Sequence, residues 1–319
     1  MRPLFTSVQN NRDHRKIVVI DGRIAYTGGV NIADEYVNER ERFGYWKDAG
    51  IRFEGDAVKS FIIMFMQMWH VSEERLEDLR PYLEAVAPAG GVSPNVVSAG
   101  GVSLNVAPAG GDEMGLTRVA DAAQLDRALK PVRDMRPADF VTPYGDSPYD
   151  NEDVGRTVYL YLIEHAKDYV HIMTPYLVLD KGVRRTLTQA AKCGIQIVII
   201  MPNIPDKKYA YYLARSYYKE LLSAGVQIFE YTKGFVHAKA WAVDDEVATV
   251  GSINLDFRSL YWHFECGSVI CDEEVAKAVE ADFQATLADC RKISMVDAEQ
   301  RSAGEKLAGA FLRVIAPLM

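Results

Sequence analysis

The chain has 319 residues, of which 49% are hydrophobic and 25% are charged, a composition typical of a globular protein with room for two sizeable cores. Its formal net charge of −8 and isoelectric point of about 5.4 disfavour a non-specific nucleic-acid binder, because such proteins present a basic face to the phosphates. The four cysteines form no C-x-x-C pair and lie at no metal-ligand spacing with histidine, so we predict free thiols in a reducing setting.

The first predicted elements are a β-hairpin and an apolar helix. Residues 15–20 predict a strand, Asp21-Gly22 a tight turn, and residues 24–27 the returning strand. The apolar stretch at residues 61–69 continues a helical pattern into residues 72–75, which favours a buried core helix. This stretch is far shorter than the roughly 20 residues that a bilayer requires, so we expect nothing in the chain to span a membrane.

Residues 87–112 are rich in glycine, serine and proline, and residues 89–96 are nearly repeated at residues 99–106. Because this stretch has no helical period, its composition predicts a flexible connection between two domains. The predicted boundaries are therefore a first domain at residues 1–86, a low-complexity linker at 87–112 and a second domain at 113–319.

Beyond about residue 152, predicted strands and helices alternate. This order predicts an α/β fold in which helices cover a sheet. The predicted helices cover residues 152–167, 181–192, 206–224, 276–290 and 305–315, and the predicted strands cover residues 169–173, 195–201, 226–231, 237–243 and 247–250.

Two stretches carry the same spaced set of residues, which we call the first and second motif copies. Asn31 follows His14, and Asn254 follows His237, by 17 positions in each case (31 − 14 and 254 − 237). Coincidence at identical spacing is negligible, so the two sets indicate duplication of a functional unit. The first copy comprises His14, Lys16, Asp21, Gly28, Gly29 and Asn31, and the second comprises His237, Lys239, Asp244, Gly251, Ser252 and Asn254.

The residue types of the motif suit chemistry at a phosphodiester. A histidine and a lysine two positions apart on a strand point to the same face and can address one phosphate together. A neutral histidine can attack phosphorus and form a covalent intermediate, while a second, protonated histidine donates to the leaving alcohol oxygen. We therefore predict His14, Lys16, Asp21, His237, Lys239 and Asp244 as catalytic residues, and Asn31, Asn254 and Ser252 as phosphate-binding residues.

Two acidic residues are candidates to orient the imidazoles. Asp48 and Glu265 each lie about 30 residues beyond the histidine of their own copy. Asp21 and Asp244 are equally compatible with simple turn residues, and Asn31 with a helix N-cap. We expect neither a metal nor a cofactor, because the lysines repel a cation and the sequence shows no Cys/His cluster.

The doubled pattern H-x-K-x4-D-x6-G-[GS]-x-N resembles the phospholipase D superfamily, and its surroundings are similar to those of bacterial cardiolipin synthases of the phospholipase D type. The resemblance covers nearly all of the chain except residues 87–111. The matching segments are residues 14–22 and 27–36, Asp146-Ser147-Pro148, Thr174-Pro175-Tyr176, residues 251–256 and Arg258-Ser259.

The resemblance implies two phospholipase D-like domains, each a mixed sheet flanked by helices, with the site at their interface. It implies a phosphatidyltransferase that makes cardiolipin from two phosphatidylglycerol molecules and releases glycerol, through a phosphatidyl-histidine intermediate and without a metal. His14 would be the nucleophile and His237 the general acid, an assignment that can be reversed. The implied partners are a phospholipid and a membrane surface, with no nucleic acid.

Two other interpretations stay open. A hydrolase of the same superfamily, a phospholipase D or a nuclease, would use the same residues with water as the acceptor. The other interpretation is a truncated, inactive chain, because about 85 residues of alternating structure precede His237 (237 − 152) but only 13 residues precede His14. We expect the first domain to be incomplete, with membrane helices in a preceding region and residence at the bacterial inner membrane.

Overall fold

The computed structural model describes residues 11–72, 77–84, 95–98 and 140–318. The strands are β1 Val18–Ile20, β2 Ile24–Gly28, β3 Tyr45–Lys47, β4 Ala49–Glu54, β5 Asn95–Ser98, β6 Phe140–Asp146, β7 Tyr169–Met173, β8 Gln196–Pro202, β9 Gln227–Tyr231, β10 Gly234–Val236, β11 Ala240–Val243, β12 Val247–Gly251, β13 Glu265–Cys271 and β14 Cys290–Lys292. The helices are α1 Ala57–Ser72, α2 Arg80–Glu84, α3 Val154–His165, α4 Lys181–Lys192, α5 Lys208–Ser223, α6 Phe257–Tyr261, α7 Glu273–Leu287, α8 Met295–Glu299 and α9 Ala303–Ile315, and a 3-10 turn covers Ala316–Leu318.

A mixed eight-stranded sheet organises the second part of the chain, with the strand order β14-β9-β8-β7-β11-β12-β13-β6. Strands β7, β8 and β9 run parallel, because α4 and α5 carry the chain back across the sheet between them. The remaining neighbours are antiparallel. The structure thus confirms the predicted α/β class, a mixed sheet flanked by helices.

Both faces of this sheet are covered, which explains why the sequences of its strands are continuous apolar runs. Along β8, Ile197 and Ile199 pack into the cluster formed with α3, α4 and α5, whereas Val198 and Ile200 pack into the cluster formed with α1 and α7. The alternation follows from the two-residue period of a strand. The second cluster also contains Phe53 of β4, so the smaller sheet shares its core with the larger one.

The two motif copies form the same local structure. Strands β1 and β2 pair antiparallel in a four-stranded sheet of order β1-β2-β4-β5, and β11 pairs antiparallel with β12. Each hairpin turns through two residues with positive φ, Asp21 (53°) and Gly22 (63°) in the first copy and Asp244 (55°) and Asp245 (56°) in the second. Two successive residues in this conformation suit the right-handed twist of a tight hairpin. The predicted hairpins are therefore present in both copies.

The first part of the chain is joined to the second by a strand pair and a partly buried ion pair. Strand β3 runs parallel to β10, with Tyr45 opposite Gly234 and Lys47 opposite Val236. The ammonium of Lys47 lies 2.6 Å from Oδ1 of Asp282 on α7. These contacts place Asp48, which follows β3, beside His237, which follows β10.

Some predicted elements differ from those observed. The strands predicted to begin at residues 15 and 237 begin at Val18 and Ala240, so the histidines and lysines of the motif precede regular strands. Within the predicted linker, Asn95–Ser98 forms β5 and pairs with β4. The rest of residues 87–112 lies outside the described residues, and the three domain boundaries stay a prediction.

The apolar stretch at residues 61–69 belongs to α1, whose buried side chains include Phe61 and Met64. No helix in the described part of the chain combines the length and the apolar character that crossing a membrane requires.

The β3–β10 pair generates a stability prediction. A Cβ at Gly234 would overlap the backbone nitrogen and oxygen of Tyr45, so Gly234→Ala must separate the two strands. We expect it to lower the free energy of unfolding by about 1–3 kcal/mol. Chemical denaturation would measure the loss.

Gly304→Ala is the matched control, because the nearest atom to its added Cβ would be Oγ of Ser302 at 4.0 Å. This glycine lies in α9, where alanine is the better helix former by up to about 1 kcal/mol. Equal stability of the two variants would contradict a structural role for the β3–β10 pair.

Candidate active site

Each histidine of the motif is held by the acid that belongs to the other copy. Nδ1 of His14 lies 2.9 Å from Oε1 of Glu265, and Nδ1 of His237 lies 2.9 Å from Oδ2 of Asp48. Both carboxylates are fully buried, whereas 26% of the His14 side chain is exposed. The sequence pattern associates each acid with the histidine of its own copy, but the structure exchanges the partners.

Two equivalent backbone contacts produce this exchange. The N–H of His237 donates to the carbonyl oxygen of Lys47 (2.7 Å), the residue that precedes Asp48. The N–H of His14 donates to the carbonyl oxygen of Phe264 (2.9 Å), the residue that precedes Glu265. Each histidine is therefore positioned by the backbone of the opposite copy before its side chain meets the carboxylate.

A glycine permits the close approach of Asp48 to His237. A Cβ at Gly29 would overlap Oδ1 of Asp48 and lie 2.9 Å from the carbonyl oxygen of His237. The N–H of Gly29 also donates to the carbonyl oxygen of Ala49 (2.9 Å). The second glycine of the first motif copy thus makes room for the carboxylate that binds the histidine of the second copy.

The two lysines lie differently around their histidines. Nζ of Lys239 is 2.8 Å from Nδ1 and 3.0 Å from Nε2 of His237, and it donates to the carbonyl oxygen of His237 at 2.5 Å. Nζ of Lys16 donates to the carbonyl oxygen of His14 at 2.6 Å. Among the described hydrogen bonds, Lys16 makes none to the ring of His14. One ammonium therefore lies at an imidazole, and the other lies at a backbone oxygen.

Burial sets the charge of the second histidine and its lysine. Burial and the neighbouring ammonium of Lys239 lower the pKa of His237 to about 4, so this imidazole is neutral at neutral pH. Burial lowers the pKa of Lys239 to about 7 and also lowers that of Lys16, although the carboxylates of Asp48 and Glu265 oppose both shifts. The charges of these five groups affect one another, so the groups form one electrostatic site.

The carboxylates remain ionised although they are buried. Burial by itself would raise the pKa of Asp48, but the charge and hydrogen bond of His237 lower it below its usual value. Burial likewise opposes ionisation of Glu265, whose pKa is lowered to about 2 by the charge and hydrogen bond of His14. Each of the two imidazoles is therefore bound to an ionised carboxylate.

The asparagines of the motif are positioned by short hydrogen bonds to hydroxyl groups. Nδ2 of Asn31 donates to the hydroxyl of Tyr36 at 2.6 Å, and Nδ2 of Asn254 donates to Oγ of Ser259 at 3.1 Å. Oδ1 of Asn254 is buried without a hydrogen-bond partner among the described residues. Both amides are thus held in place, although their predicted contact with phosphate stays a prediction.

Ser252 contacts the carboxylate that binds His14. Its hydroxyl is fully buried and lies 2.5 Å from Oε2 of Glu265, and it accepts a hydrogen bond from the N–H of Cys266 at 3.0 Å. The hydroxyl therefore lies behind the carboxylate that binds His14. This contact can position Glu265, and the role of Ser252 as a phosphate ligand stays a prediction.

The structure does not bring the aspartates of the motif to the histidines. Asp21 and Asp244 lie in the hairpin turns, and β11 alone, roughly 13 Å long, separates Asp244 from Lys239. The carboxylate of Asp244 accepts hydrogen bonds from the backbone N–H groups of residues 167, 168 and 169, at 2.7, 2.9 and 2.7 Å. These contacts favour turn residues, the alternative that the sequence left open, and the catalytic role of the two aspartates stays a prediction.

His237 is surrounded by aromatic rings, which the sequence pattern does not identify. The ring centroids of Tyr36, Trp46 and Phe235 lie 5.2, 5.3 and 6.0 Å from that of His237. Trp46 and Phe235 face each other across β3 and β10, so the strand pair that places Asp48 also encloses the imidazole. This enclosure accounts for the burial that lowers the pKa of His237.

A third histidine lies at the site. Nδ1 of His263 is 3.5 Å from the same Oε1 of Glu265 that binds His14. His14, His263 and Glu265 each offer a ligand atom, and these atoms lie within 4.8 Å of one another. The sequence shows no such cluster because His14 and Glu265 are 251 positions apart. The spacing of His263 two positions before Glu265 is the signal that could have identified it.

Residues 159–287, which contain the second motif copy, match the family model described as "Cardiolipin synthase, PLD-like domain". An uncharacterized protein of Streptococcus mutans is 40% identical over 317 residues, which are 99% of this chain and 59% of that protein. A cardiolipin synthase of Geobacillus sp. WCH70 is 32% identical over 317 residues, which are 99% of this chain and 54% of that enzyme. The chain thus spans about half the length of the curated relatives that it matches.

The arrangement of elements is also similar to that of a solved structure, the phosphatidylserine synthase of Haemophilus influenzae. The two superpose with a TM-score of 0.65 over 99% of this chain and 73% of that chain, at 15% sequence identity. At this identity the likeness concerns the fold, and it extends over both motif copies.

The contacts of Asp244 generate a prediction that separates structure from chemistry. Asp244→Ala removes three accepted hydrogen bonds, and we expect it to lower the free energy of unfolding by about 1–3 kcal/mol. Asp21→Ala is the matched control, since Asp21 has nearly the same positive φ but lies exposed in its turn. Denaturation curves of both variants give the difference, and a larger loss for Asp21→Ala would contradict the assigned role.

The lowered pKa of His237 generates a prediction about acid stability. Histidine in the unfolded chain titrates near 6.5, whereas folded His237 titrates near 4, so the unfolded state takes up the proton first. Stability should therefore fall as the pH drops from about 6.5 towards 4, by on the order of 1–3 kcal/mol. Thermal unfolding between pH 7 and pH 4 would show a shallower dependence in His237→Gln, and parallel curves would contradict this assignment.

Proposed function

We propose that the chain acts as a phosphatidyltransferase that makes cardiolipin from two phosphatidylglycerol molecules, because residues 159–287 match the family model of the cardiolipin synthase phospholipase D-like domain. The observation that carries this proposal is the pair of imidazoles, each bound to a buried carboxylate of the opposite motif copy. Two histidines in different charge states are what a two-step displacement at phosphorus requires.

In the first step, Nε2 of one histidine attacks the phosphorus of phosphatidylglycerol. The P–N bond forms while the bond from phosphorus to the glycerol oxygen breaks, and the second histidine gives its proton to that oxygen. Glycerol leaves, and the phosphatidyl group stays on the first histidine. The carboxylate at each Nδ1 holds the ring so that Nε2 faces the phosphate.

In the second step, the glycerol hydroxyl of another phosphatidylglycerol attacks the same phosphorus. The second histidine, now neutral, removes the proton of this hydroxyl, and the P–N bond breaks. The product is diphosphatidylglycerol, and both histidines return to their starting charge states. Water in place of the second lipid would give phosphatidic acid, so the same residues serve a hydrolase.

The lowered pKa of His237 favours this residue as the nucleophile. Its pKa of about 4 keeps the ring neutral, as an attacking nitrogen must be. His14 is the more exposed ring and faces the carboxylate of Glu265, an environment suited to a proton donor at the entrance of the site. This is the reverse of the assignment that the family resemblance implies.

The remaining motif residues would bind the phosphate. Lys16 and Lys239 supply the positive charge that stabilises additional negative charge in the transition state. The amides of Asn31 and Asn254 complete the proposed phosphate site, since both side chains are fixed by their hydrogen bonds. The strands that adjoin these residues would hold the donors in place before the substrate arrives. The proposed location is the inner membrane of a bacterium, because both substrates are lipids.

A product assay tests the reaction. Phosphatidylglycerol vesicles incubated with the chain should yield diphosphatidylglycerol and glycerol, measured by mass spectrometry. His14→Ala and His237→Ala should each reduce the rate by at least roughly 10³-fold, because neither copy can replace the other. His165→Ala is the control, since His165 lies exposed on α3. Phosphatidic acid as the only product would favour the hydrolase.

A substrate with a better leaving group tests the roles of the histidines. The p-nitrophenyl ester of phosphatidic acid releases p-nitrophenolate without needing a proton, so a variant that lacks only the general acid should still release it. We expect a burst of p-nitrophenolate from His14→Ala and none from His237→Ala. The opposite result would establish His14 as the nucleophile.

A further inference from the structure

Three ligand atoms converge on one side of the site. Nδ1 of His14 lies 2.9 Å, and Nδ1 of His263 lies 3.5 Å, from the same carboxylate oxygen of Glu265. The three side chains come from two distant parts of the chain and approach within 4.8 Å of one another. Two imidazoles and one carboxylate are a donor set that binds zinc and similar transition metals with an open fourth position.

His263 has unsatisfied hydrogen-bonding capacity. Its side chain is 11% exposed, and its Nδ1 makes only the long 3.5 Å contact with the carboxylate of Glu265. Its Nε2 is buried and has no hydrogen-bond partner among the described residues. A buried polar atom without a partner costs about 1–3 kcal/mol, so a native protein rarely retains one without a reason. The ring contacts that of His14 at a centroid distance of 5.5 Å, so its nitrogens lie beside the other two ligand atoms.

The other half of the site offers a built-in comparison. Around His237, the ammonium of Lys239 lies at 2.8 and 3.0 Å from the two ring nitrogens, so a cationic group already occupies the position beside this imidazole. Around His14, the ammonium of Lys16 lies at the backbone carbonyl oxygen. At His14, therefore, the lysine contacts the backbone, and a second imidazole, His263, lies nearby.

The carboxylate is also supported from behind. Oε2 of Glu265 accepts a hydrogen bond from the buried hydroxyl of Ser252 at 2.5 Å. Such a contact fixes the orientation of a ligating carboxylate and strengthens its binding to a metal. The partial exposure of His14 leaves a route from solvent to the three ligands.

We propose that His14, His263 and Glu265 bind a divalent transition metal ion of the zinc class, and that this ion reversibly inhibits the enzyme. The ion would take Nδ1 of His14 and the oxygen of Glu265 that now binds it, so the carboxylate could no longer orient the ring. His14 would then be withdrawn from proton transfer. The inhibitory consequence rests on the proposed function, whereas the binding site stands on the geometry alone.

Metal titration tests the site without any activity measurement. The chain carrying Cys193→Ser, which removes an exposed thiol, would be stripped with a chelator and titrated with Co²⁺. We expect visible bands of a four-coordinate ion at one equivalent, and their displacement by Zn²⁺. His263→Asn and His14→Asn should each weaken binding by at least about tenfold.

His165→Asn is the matched control, because this histidine is exposed and has no carboxylate in the described contacts. It should bind Co²⁺ as the parent does. Circular dichroism identifies variants that fail to fold. Because His14 and His263 lie on different segments of the chain, one folded ligand variant is enough to test the site. Absence of the bands in the parent, or unchanged affinity in folded His263→Asn, would overturn the proposal.

The inhibition is measured with phosphatidylglycerol vesicles. Zn²⁺ at micromolar concentration should stop diphosphatidylglycerol formation, and a chelator should restore it. Residual activity of His263→Asn should need about tenfold more Zn²⁺ for the same effect. If the parent chain makes no diphosphatidylglycerol, the proposed function fails while the Co²⁺ titration still decides the metal site. If Co²⁺ binds but Zn²⁺ leaves the activity unchanged, the inhibitory role is wrong.

Discussion

The exchange of carboxylates between the two motif copies is the constraint on which the rest of this structure depends. His237 binds Asp48 and His14 binds Glu265, and each histidine donates its backbone N–H to the residue that precedes its acid. Neither copy contains a complete histidine–carboxylate pair of its own. Three features hold the two parts of the chain in the positions that this exchange requires. They are the strand pair β3–β10, the ion pair of Lys47 with Asp282 and the shared core.

The electrostatic cost of this arrangement is large, and the contacts of the site offset it. An isolated buried ion costs several kcal/mol, and here two carboxylates and two lysines lie in one enclosed region. Each carboxylate meets an imidazole, and Glu265 is also bound by Ser252. Fixed charges and dipoles of this kind are held in place before any ligand binds.

The two halves of the site share a plan but differ in enclosure. Aromatic rings and Lys239 surround His237, which lowers its pKa to about 4. His14 is more exposed and has a second imidazole, His263, at its carboxylate. Duplicated motifs in one chain can therefore perform different tasks, because the pKa of a histidine depends on its burial and its neighbours rather than on the motif itself.

The sequence by itself determined the local structure and the identity of the motif. Apolar periodicity placed the five helices predicted beyond residue 152 within a few residues of their observed bounds, because these helices bury one face. The turn chemistry of Asp21-Gly22 and Asp244-Asp245 predicted both hairpins. Strands β3, β4, β6 and β13 went unpredicted, and β6 and β13 pair with each other from distant parts of the chain.

Only the tertiary structure decided which side chains meet. The spacing of residues associates Glu265 with His237, whereas 251 positions of chain fold back to join it to His14. Asp244 and Ser252 belong to the same repeated set as His237, yet the first lies in a turn and the second lies behind a carboxylate. His263 entered the site without any motif. A repeated pattern records residue types along the chain, whereas contact and burial depend on packing between distant segments.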